Sequence, residues 1–187
     1  MAEKIILGFT GLPASGKGTA AKYLEDKYRA KNFRFSTMLR DLLNRIYLPQ
    51  SRDFMIKMSE IIRATYGEDT MAKVIAKDVE NADCEVVVVE GIRRMADIEF
   101  LKKLPNFVLI EIFADIETRL GRIQKRRENP DDAMKTMDQF KADHQRSTEV
   151  TIPEVAGHAT ERIDNNGSLD DLNQQLDILV TKYGSQN

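Results

Sequence analysis

The chain of 187 residues carries 28 basic and 30 acidic side chains, and its formal net charge is -2. This charge argues against a protein that lies along nucleic acid or on an anionic membrane, because such partners select a basic surplus. With 42% apolar and 31% charged residues, the composition is typical of a folded globular protein rather than a disordered one.

The sequence also indicates a compartment. The single cysteine, Cys84, cannot form an internal disulfide. No apolar run approaches the roughly 20 residues of a membrane-spanning helix, and the first residues, MAEKIILGF, lack the charged-then-apolar layout of a signal peptide. We therefore expect a cytoplasmic protein with reduced thiols and no membrane partner.

Hydrophobic periodicity predicts strands that alternate with helices. Apolar runs or short apolar segments predict five strands, at 4–9, 32–35, 85–89, 107–113 and 161–164. Apolar residues at helical spacing predict helices in the segments 54–65, 71–79 and 169–180. The last helix is expected to begin after an N-cap at Ser168 and to end before Gly184. This alternation predicts one α/β domain over 1–187, with three α/β/α layers and a five-stranded parallel sheet.

A glycine-rich segment, GLPASGKGT at 11–19, lies between the first predicted strand and a predicted helix. Gly11, Gly16 and Lys17 fit the P-loop pattern G-x-x-x-x-G-K, in which backbone N–H groups converge on phosphates and the lysine reaches the β and γ phosphates. An accidental glycine turn is disfavoured, because the strand and the helix are the context that the motif requires. The segment supplies the predicted ATP ligands Gly11, Ala14, Ser15, Gly16, Lys17, Gly18 and Thr19.

The segment departs from the strict P-loop pattern, which places Ser or Thr directly after the lysine. Here Gly18 intervenes, and the hydroxyl that could face Mg²⁺ follows at Thr19. The run GKGT after G-x-P resembles adenylate kinases and their nucleoside monophosphate kinase relatives, whose Mg²⁺ is held largely through water. Ala14 stands where that family usually has another glycine. The resemblance implies a P-loop kinase fold with a short helical lid, which moves the γ-phosphoryl group of ATP to a small phosphorylated acceptor.

A second stretch, FSTMLRDLL at 35–43, resembles the S-T-G-x-x-L-R stretch that opens the acceptor pocket of adenylate kinases, but is two residues shorter. Ser36 and Thr37 are expected to cap a helix, and Arg40, about one turn later, to bind an anionic phosphate. Arg63, on the next amphipathic segment, is a further candidate. The resemblance thus predicts an acceptor-binding helical region over 36–82; the alternative is a solvated helix face with ordinary arginines.

A third stretch, VVVVEGIRR at 86–94, ends a buried strand with an acid. The carboxyl edge of a parallel sheet faces the ligand crevice, so Glu90 is predicted to orient Mg²⁺-bound water. EGIRR also resembles the D-G-F-P-R segment of adenylate kinases, in which the arginine holds the acceptor phosphate. Direct alignment selects Arg94, and Arg93 is its rival because no proline fixes the register.

A basic helix follows the fourth predicted strand. Three of its arginines share one stripe: Arg119, Arg122 and Arg126. Asn129 and Pro130 would break the helix, which predicts a hinge and a short lid over 119–150. Arg122 and Arg126 are the predicted catalytic arginines beside Lys17, and Arg119 is a predicted ATP ligand. A nucleic-acid patch is the alternative, but no aromatic residues interleave with it.

The loop after the last strand, Asn165-Asn166-Gly167, resembles the adenine-contacting loop of these kinases and the D-N-x-G-x-L segment of dephospho-CoA kinases. Asn166 is therefore a predicted ATP ligand. His144 and His158 stand apart from any Ser or Cys pattern, so we interpret both as non-catalytic.

The most favoured acceptor is a nucleoside or deoxynucleoside monophosphate, whose phosphate needs no base. A hydroxyl acceptor, as in dephospho-CoA kinases, would need one, and Asp41 or Glu90 is then the candidate. GKGT in place of GKS, and Ser36-Thr37 where those enzymes show a D-x-D pair, favour the phosphate acceptor. A nucleotide-binding regulator with little turnover, and a kinase acting on polynucleotide ends, remain alternatives.

Overall fold

The computed structural model describes residues 4–126, 132–146 and 149–184. Its centre is a five-stranded sheet in the order β2-β3-β1-β4-β5. All four neighbouring pairs are parallel. The strands are β1 Ile5–Thr10, β2 Lys31–Arg34, β3 Val86–Glu90, β4 Phe107–Phe113 and β5 Glu161–Asp164. The predicted five-stranded parallel sheet is therefore confirmed, including its short edge strand β2.

Helices cover both faces of this sheet. They are α1 Lys17–Tyr28, α2 Phe35–Arg45, α3 Arg52–Tyr66, α4 Thr70–Glu80, α5 Met95–Ile98, α6 Ile116–Arg126, α7 Met137–Asp143, α8 Ile152–Ala156 and α9 Leu169–Gly184. Two short 3₁₀ turns, Leu101–Lys103 and Asp132–Met134, complete the described elements. None of the described helices combines the length and the apolar character that a membrane crossing requires.

Alternation along β1 explains the two apolar layers. Leu7 and Phe9 pack with Leu24 of α1 on one face, together with the apolar side of α9. Ile6 packs on the opposite face, in a cluster that includes Met71, Ile75 and Val79 of α4. Every residue of β1 is buried, because helices cover both faces, and this accounts for its continuous apolar run. The three-layer α/β/α architecture is thus confirmed.

Three predicted helix ends can be compared with the structure. Ser168 does cap α9, since its Oγ accepts the N–H of Asp171 at 3.2 Å, but α9 continues through Gly184 instead of ending before it. The prediction that Ser36 and Thr37 cap α2 is wrong. That helix begins at Phe35, directly after β2, so both residues lie within its first turn.

Candidate active site

The loop of residues 11–16 joins β1 to the N-terminus of α1, and two of its glycines are required by geometry. Gly11 has φ +142°, and a Cβ there would lie 2.3 Å from the carbonyl oxygen of Ile112. Gly16 has φ +106°, and its Cβ would lie 2.1 Å from Nδ2 of Asn165. Only glycine fits such contacts and such backbone angles. The spacing that defines the sequence pattern therefore marks the two points where other elements approach the loop.

Ala14 adopts a conformation that glycine favours. Its φ is +62°, in the left-handed region that costs an L-residue free energy. The next residue, Ser15, is buried and donates its N–H to the carbonyl of Leu12 at 3.2 Å. The loop thus follows a glycine-like path at Ala14 in spite of the substitution.

Lys17 begins α1 and folds back over this loop. Its ammonium donates to the carbonyl oxygens of Gly11 at 2.6 Å and Leu12 at 3.0 Å. Burial, and next the positive charge of Arg93, lower the pKa of Lys17 to about 8. The cation therefore lies at the loop, held by backbone dipoles and not by an acid side chain.

Arg119 connects helix α6 to the same loop. Its Nη1 donates to the carbonyl of Pro13 at 3.4 Å, and its Nε donates to the carbonyl of Ala114 at 3.0 Å. Nη1 also lies 2.9 Å from Nε2 of His144, which follows α7. Burial and the neighbouring guanidinium lower the pKa of His144, which favours the neutral ring as acceptor. Arg119 thereby joins the loop to the predicted lid segment.

Arg122, one turn further along α6, contacts two loops at once. It donates to the carbonyl of Ser15 at 3.3 Å and to that of Asn165 at 2.7 Å. Asn165 is buried and donates its own side-chain amide to the carbonyl of Ser15 at 2.7 Å. Arg122 is therefore at the loop, as a catalytic arginine would need to be.

Asn165 was not among the predicted site residues, whereas its neighbour Asn166 was. The side chain of Asn166 accepts the N–H of Asp115 at 2.8 Å and donates to Asp164 at 2.8 Å. It therefore holds the ends of β4 and β5 together beside the loop. The Asn-Asn-Gly run was the signal for both residues, but only the fold shows which of them reaches Ser15.

Glu90 ends β3 as predicted and is 7% exposed. Its Oε1 accepts from Nδ2 of Asn32 at 2.6 Å and from Nε of Arg34 at 2.9 Å. Its Oε2 faces α1, since a Cβ on Gly18 would lie 3.8 Å from that oxygen. One carboxylate oxygen is thus held by β2, and the other lies beside the first turn of the phosphate-loop helix.

These groups fit a magnesium ion that arrives with its nucleotide. Within the described residues, no cluster of three or more His, Cys, Asp or Glu could hold a metal by itself. Mg²⁺ in kinases keeps several waters and needs only one or two protein oxygens beside the substrate phosphates. Glu90 and the exposed hydroxyl-bearing Thr19 in the first turn of α1 are suitable donors for such an ion or its waters.

The predicted acceptor residues on α2 lie in different surroundings. Arg40 is exposed, and its side chain makes no hydrogen bond or ion pair within the part of the chain that the structure describes. Ser36 is half-buried and Thr37 is exposed.

A cleft of about 420 Å³ opens between β2, α2 and α4. Its polar lining consists of Asn32, Arg34, Thr37, Asp41, Arg45 and Asp78. Thr37 and Asp41 therefore line a cleft that Arg40 does not.

Arg63 is a buried structural residue. It is 8% exposed and pairs with Asp97 of α5 at 3.2 Å, and it donates to the carbonyl of Glu68 at 2.6 Å. These contacts join α3 to α5, so the structure favours a packing role for Arg63 over the acceptor role expected from the sequence.

Arg93 and Arg94 are also paired with acids. Nη1 of Arg93 lies 2.6 Å from Oε1 of Glu149, a buried residue that sequence reasoning did not select. Nη1 of Arg94 lies 3.3 Å from Oε2 of Glu68. The positive charge of Arg93 is also one cause of the lowered pKa of Lys17.

The remaining predictions concern the end of α6. Arg126 is the last residue of that helix and is exposed. The predicted hinge at 129–130 lies outside the described residues. His158 is exposed after α8.

Comparisons with known proteins agree with this architecture. A family model described as an AAA domain (AAA_17) matches residues 10–141. Similar relatives include UPF0200 proteins of Methanosarcina acetivorans, 24% identical over 184 residues with 97% of each chain covered, and of Sulfurisphaera tokodaii, 27% identical over 179 residues with 95% of this chain and 96% of the relative covered.

Among solved structures, the shikimate kinase of Bacteroides thetaiotaomicron superposes with a TM-score of 0.62 at 14% identity, covering 94% of this chain and 98% of that one. The shikimate kinase of Acinetobacter baumannii in complex with shikimate gives 0.58 at 16% identity, covering 100% and 97%. At these identities the likeness establishes the fold, and that fold is the P-loop kinase fold predicted from the glycine-rich loop.

Proposed function

The chain belongs to the AAA domain family whose model spans residues 10–141, and from that premise we propose that it is an ATP- and Mg²⁺-dependent phosphotransferase. Its proposed acceptor is a small phosphorylated molecule, of which a nucleoside or deoxynucleoside monophosphate is the first choice. The proposed place of action is the cytoplasm.

The observation that carries this proposal is the convergence of three cations on one loop. Lys17, Arg119 and Arg122 all donate to backbone carbonyls of residues 11–15. Phosphoryl transfer asks little covalent chemistry of a protein, and its rate comes chiefly from positioning and from positive charge around the transferred group. This loop supplies both in one place.

Each residue has a defined part in the proposed reaction. The N–H groups of the loop and the ammonium of Lys17 bind the β and γ phosphates, and Arg122 and Arg126 place positive charge beside the transferred group. Mg²⁺, bound with ATP, supplies further charge neutralisation, and Glu90 and Thr19 would hold its waters. Arg119 and Asn166 hold the elements that flank the nucleotide, and closure of the segment 119–150 excludes water.

The acceptor is supported by its own set of residues. Arg40 has an exposed guanidinium, and Arg93 and Arg94 follow the strand that ends in Glu90; with Ser36 and Thr37 they form the proposed acceptor set. An acceptor phosphate has a second pKa of roughly 6, so it is a dianion at neutral pH and attacks without a general base.

A hydroxyl acceptor is the second candidate, and a specific observation favours it. Asp41 lines the cleft between β2, α2 and α4, and Oε2 of Glu90 lies beside the first turn of α1, which supports either carboxylate as the candidate base for a hydroxyl acceptor. Two of the structural neighbours are shikimate kinases, one of them in complex with shikimate, which adds a small hydroxy acid to the compounds worth testing.

The test is a coupled ADP-release screen over nucleoside monophosphates, deoxynucleoside monophosphates, dephospho-CoA and shikimate, with ATP and Mg²⁺ present. Acceptor-dependent ADP release from the native protein, lost in Lys17→Ala, is the expected result. Tight MgATP binding without release on any acceptor would contradict the proposal and support a nucleotide-binding regulator.

A further inference from the structure

Arg34, the last residue of β2, has no role in the assignments made so far. In the parallel register of β2 and β3 it stands directly beside Glu90. Its Nε donates to Oε1 of Glu90 at 2.9 Å, and its Nη2 lies 2.8 Å from the same oxygen. Asn32, two residues earlier on the same strand, donates to that oxygen at 2.6 Å. Two hydrogen bonds and one further guanidinium nitrogen, all from the same edge strand, therefore meet at a single carboxylate oxygen.

These contacts fix the orientation of the Glu90 carboxylate. A carboxylate oxygen offers about two lone-pair directions, so the two hydrogen bonds occupy Oε1 and leave Oε2 for other contacts. Oε2 is the oxygen beside Gly18, where a Cβ would lie 3.8 Å away. Glycine leaves open the space between that oxygen and the first turn of α1. The acid is thus oriented by β2 with Oε2 toward the first turn of α1.

We propose that Arg34, supported by Asn32, is a positioning residue that holds the Glu90 carboxylate for the waters of the nucleotide-bound Mg²⁺. The inference rests on the proposed function and deepens it at the metal. Partners of metal-orienting groups commonly change metal affinity by roughly 10- to 100-fold when they are removed.

The competing explanation is that the pair only stabilises the sheet edge. The side chain of Arg34 is 47% exposed, and that of Glu90 is 9% exposed. An ion pair with one partner at the surface usually contributes little to stability. If the pair acts only at the sheet edge, its removal should leave the Mg²⁺ dependence unchanged and alter at most the melting temperature, and this difference separates the two explanations.

The experiment measures binding and does not require turnover. The affinity of a fluorescent ATP analogue is measured in EDTA and across a Mg²⁺ titration. Arg34→Gln is expected to raise the Mg²⁺ concentration for half-maximal effect about tenfold, while affinity in EDTA stays within twofold. Arg34→Lys keeps the charge but loses the planar fork, so its shift should lie between those of the native protein and Arg34→Gln. Asn32→Ala should produce a smaller shift in the same direction.

Two comparisons make the result specific. Lys31→Gln removes an exposed charge from the start of the same strand, where the residue pairs with Val87, and should leave the Mg²⁺ titration unchanged. Glu90→Gln and the double variant Arg34→Gln/Glu90→Gln should require the same Mg²⁺ concentration, because Arg34 acts only through Glu90.

Two outcomes would overturn the proposal: a change in melting temperature without any change in the Mg²⁺ titration of Arg34→Gln and Arg34→Lys, or an equal loss of nucleotide affinity with and without Mg²⁺. The second would mean that Arg34 contacts the nucleotide itself. A failure of the acceptor screen leaves these binding results unaffected, so the two proposals can fail separately.

Discussion

On the donor side of the crevice, cations are held by the protein's own backbone: Lys17, Arg119 and Arg122 donate to carbonyl groups of the phosphate loop. Among the predicted acceptor residues, by contrast, Arg93 and Arg94 are paired with carboxylates. The three cations at the loop are thus bonded to uncharged carbonyl groups, whereas Arg93 and Arg94 are paired with charged carboxylates.

The difference lies in what an incoming phosphate must displace. A carbonyl oxygen carries only a partial charge, so a phosphate forms a stronger, charge-assisted bond to the same cation. A carboxylate carries a full charge, so a phosphate that replaces it gains less, and the displaced acid needs a new partner. Under the proposed function, we therefore expect ATP to bind at the loop with little rearrangement, and the proposed acceptor residues to change partners when an acceptor binds.

Of the predicted changes, the loss of kcat on removing the Lys17 ammonium should be the largest, and it tests the role of the loop most directly. Lys17→Ala should reduce kcat at least a hundredfold, by analogy with a lost oxyanion donor that costs on the order of 3 kcal/mol. The protein should remain folded, since the ammonium contacts only the loop. Steady-state kinetics and circular dichroism check both points. Lys22→Ala, on the exposed side of α1, is the control that should keep its activity. A folded Lys17→Ala variant with half the native kcat would contradict the P-loop assignment.

The next effect distinguishes two arginines of the predicted acceptor region. Arg63→Ala leaves Asp97 buried without its cation, which should lower the free energy of unfolding by about 3 kcal/mol. Urea denaturation measures this loss, and the two KM values should stay near those of the native protein.

Arg40→Ala should show the reverse pattern. The free energy of unfolding should change little because Arg40 is exposed, but the acceptor KM should rise about tenfold, the loss expected for one arginine–phosphate contact. The ATP KM should stay within twofold. Equal changes in both KM values, or no change in either, would indicate that Arg40 is an ordinary arginine on a solvated helix face and does not bind the acceptor.

The donor side could be predicted because its determinants are local. The glycines with positive φ and the lysine lie within a few residues of each other, and the buried strand before them has a strong apolar signal. Even the departure at Ala14 marked a position with a glycine-like φ of +62°. A single sequence predicts most clearly those elements that are buried and whose contacts join residues close together in the chain.

The other half depends on contacts between distant parts of the chain. Asn165 reaches Ser15 across 150 positions, and Arg93 meets Glu149 across 56. Arg34 meets Glu90 only through the β2–β3 register, and β2 has a weak four-residue signal. Hydrophobic periodicity predicts which face of a helix is buried, but it does not predict which residue a charged side chain on that helix contacts. For that reason the sequence predicts Arg63 at the acceptor but does not predict its ion pair with Asp97.

An effect of about the same size, on kcat instead of KM, tests whether Arg122 holds the loop by geometry or by charge. Arg122→Lys keeps the charge but cannot donate to both Ser15 and Asn165, so kcat should fall about tenfold, or roughly 1.4 kcal/mol. Lys125→Gln, on the exposed end of α6, should keep its kcat. If α6 is a polyanion patch instead, Arg122→Lys should be nearly neutral, and binding of a short oligonucleotide should weaken in Lys125→Gln and fall steeply with salt.

The smallest expected effect concerns the backbone of the loop itself. Ala14→Gly removes the cost of a left-handed alanine, roughly 1 kcal/mol, but adds conformational entropy to the unfolded chain, which offsets part of that gain. The net result should be about 0.5 kcal/mol of added stability, measured by urea denaturation, with the acceptor KM unchanged. Arg29→Gly provides a matched comparison, because Arg29 is the C-cap residue that follows α1, has φ +55° and is not part of the phosphate loop. Ala21→Gly, inside α1, should instead destabilise by about 1 kcal/mol or more. If Ala14→Gly were destabilising while Arg29→Gly was stabilising, the restricted backbone of Ala14 would help to stabilise the loop. The loop conformation proposed to bind ATP would then depend on that alanine as well as on Gly11 and Gly16.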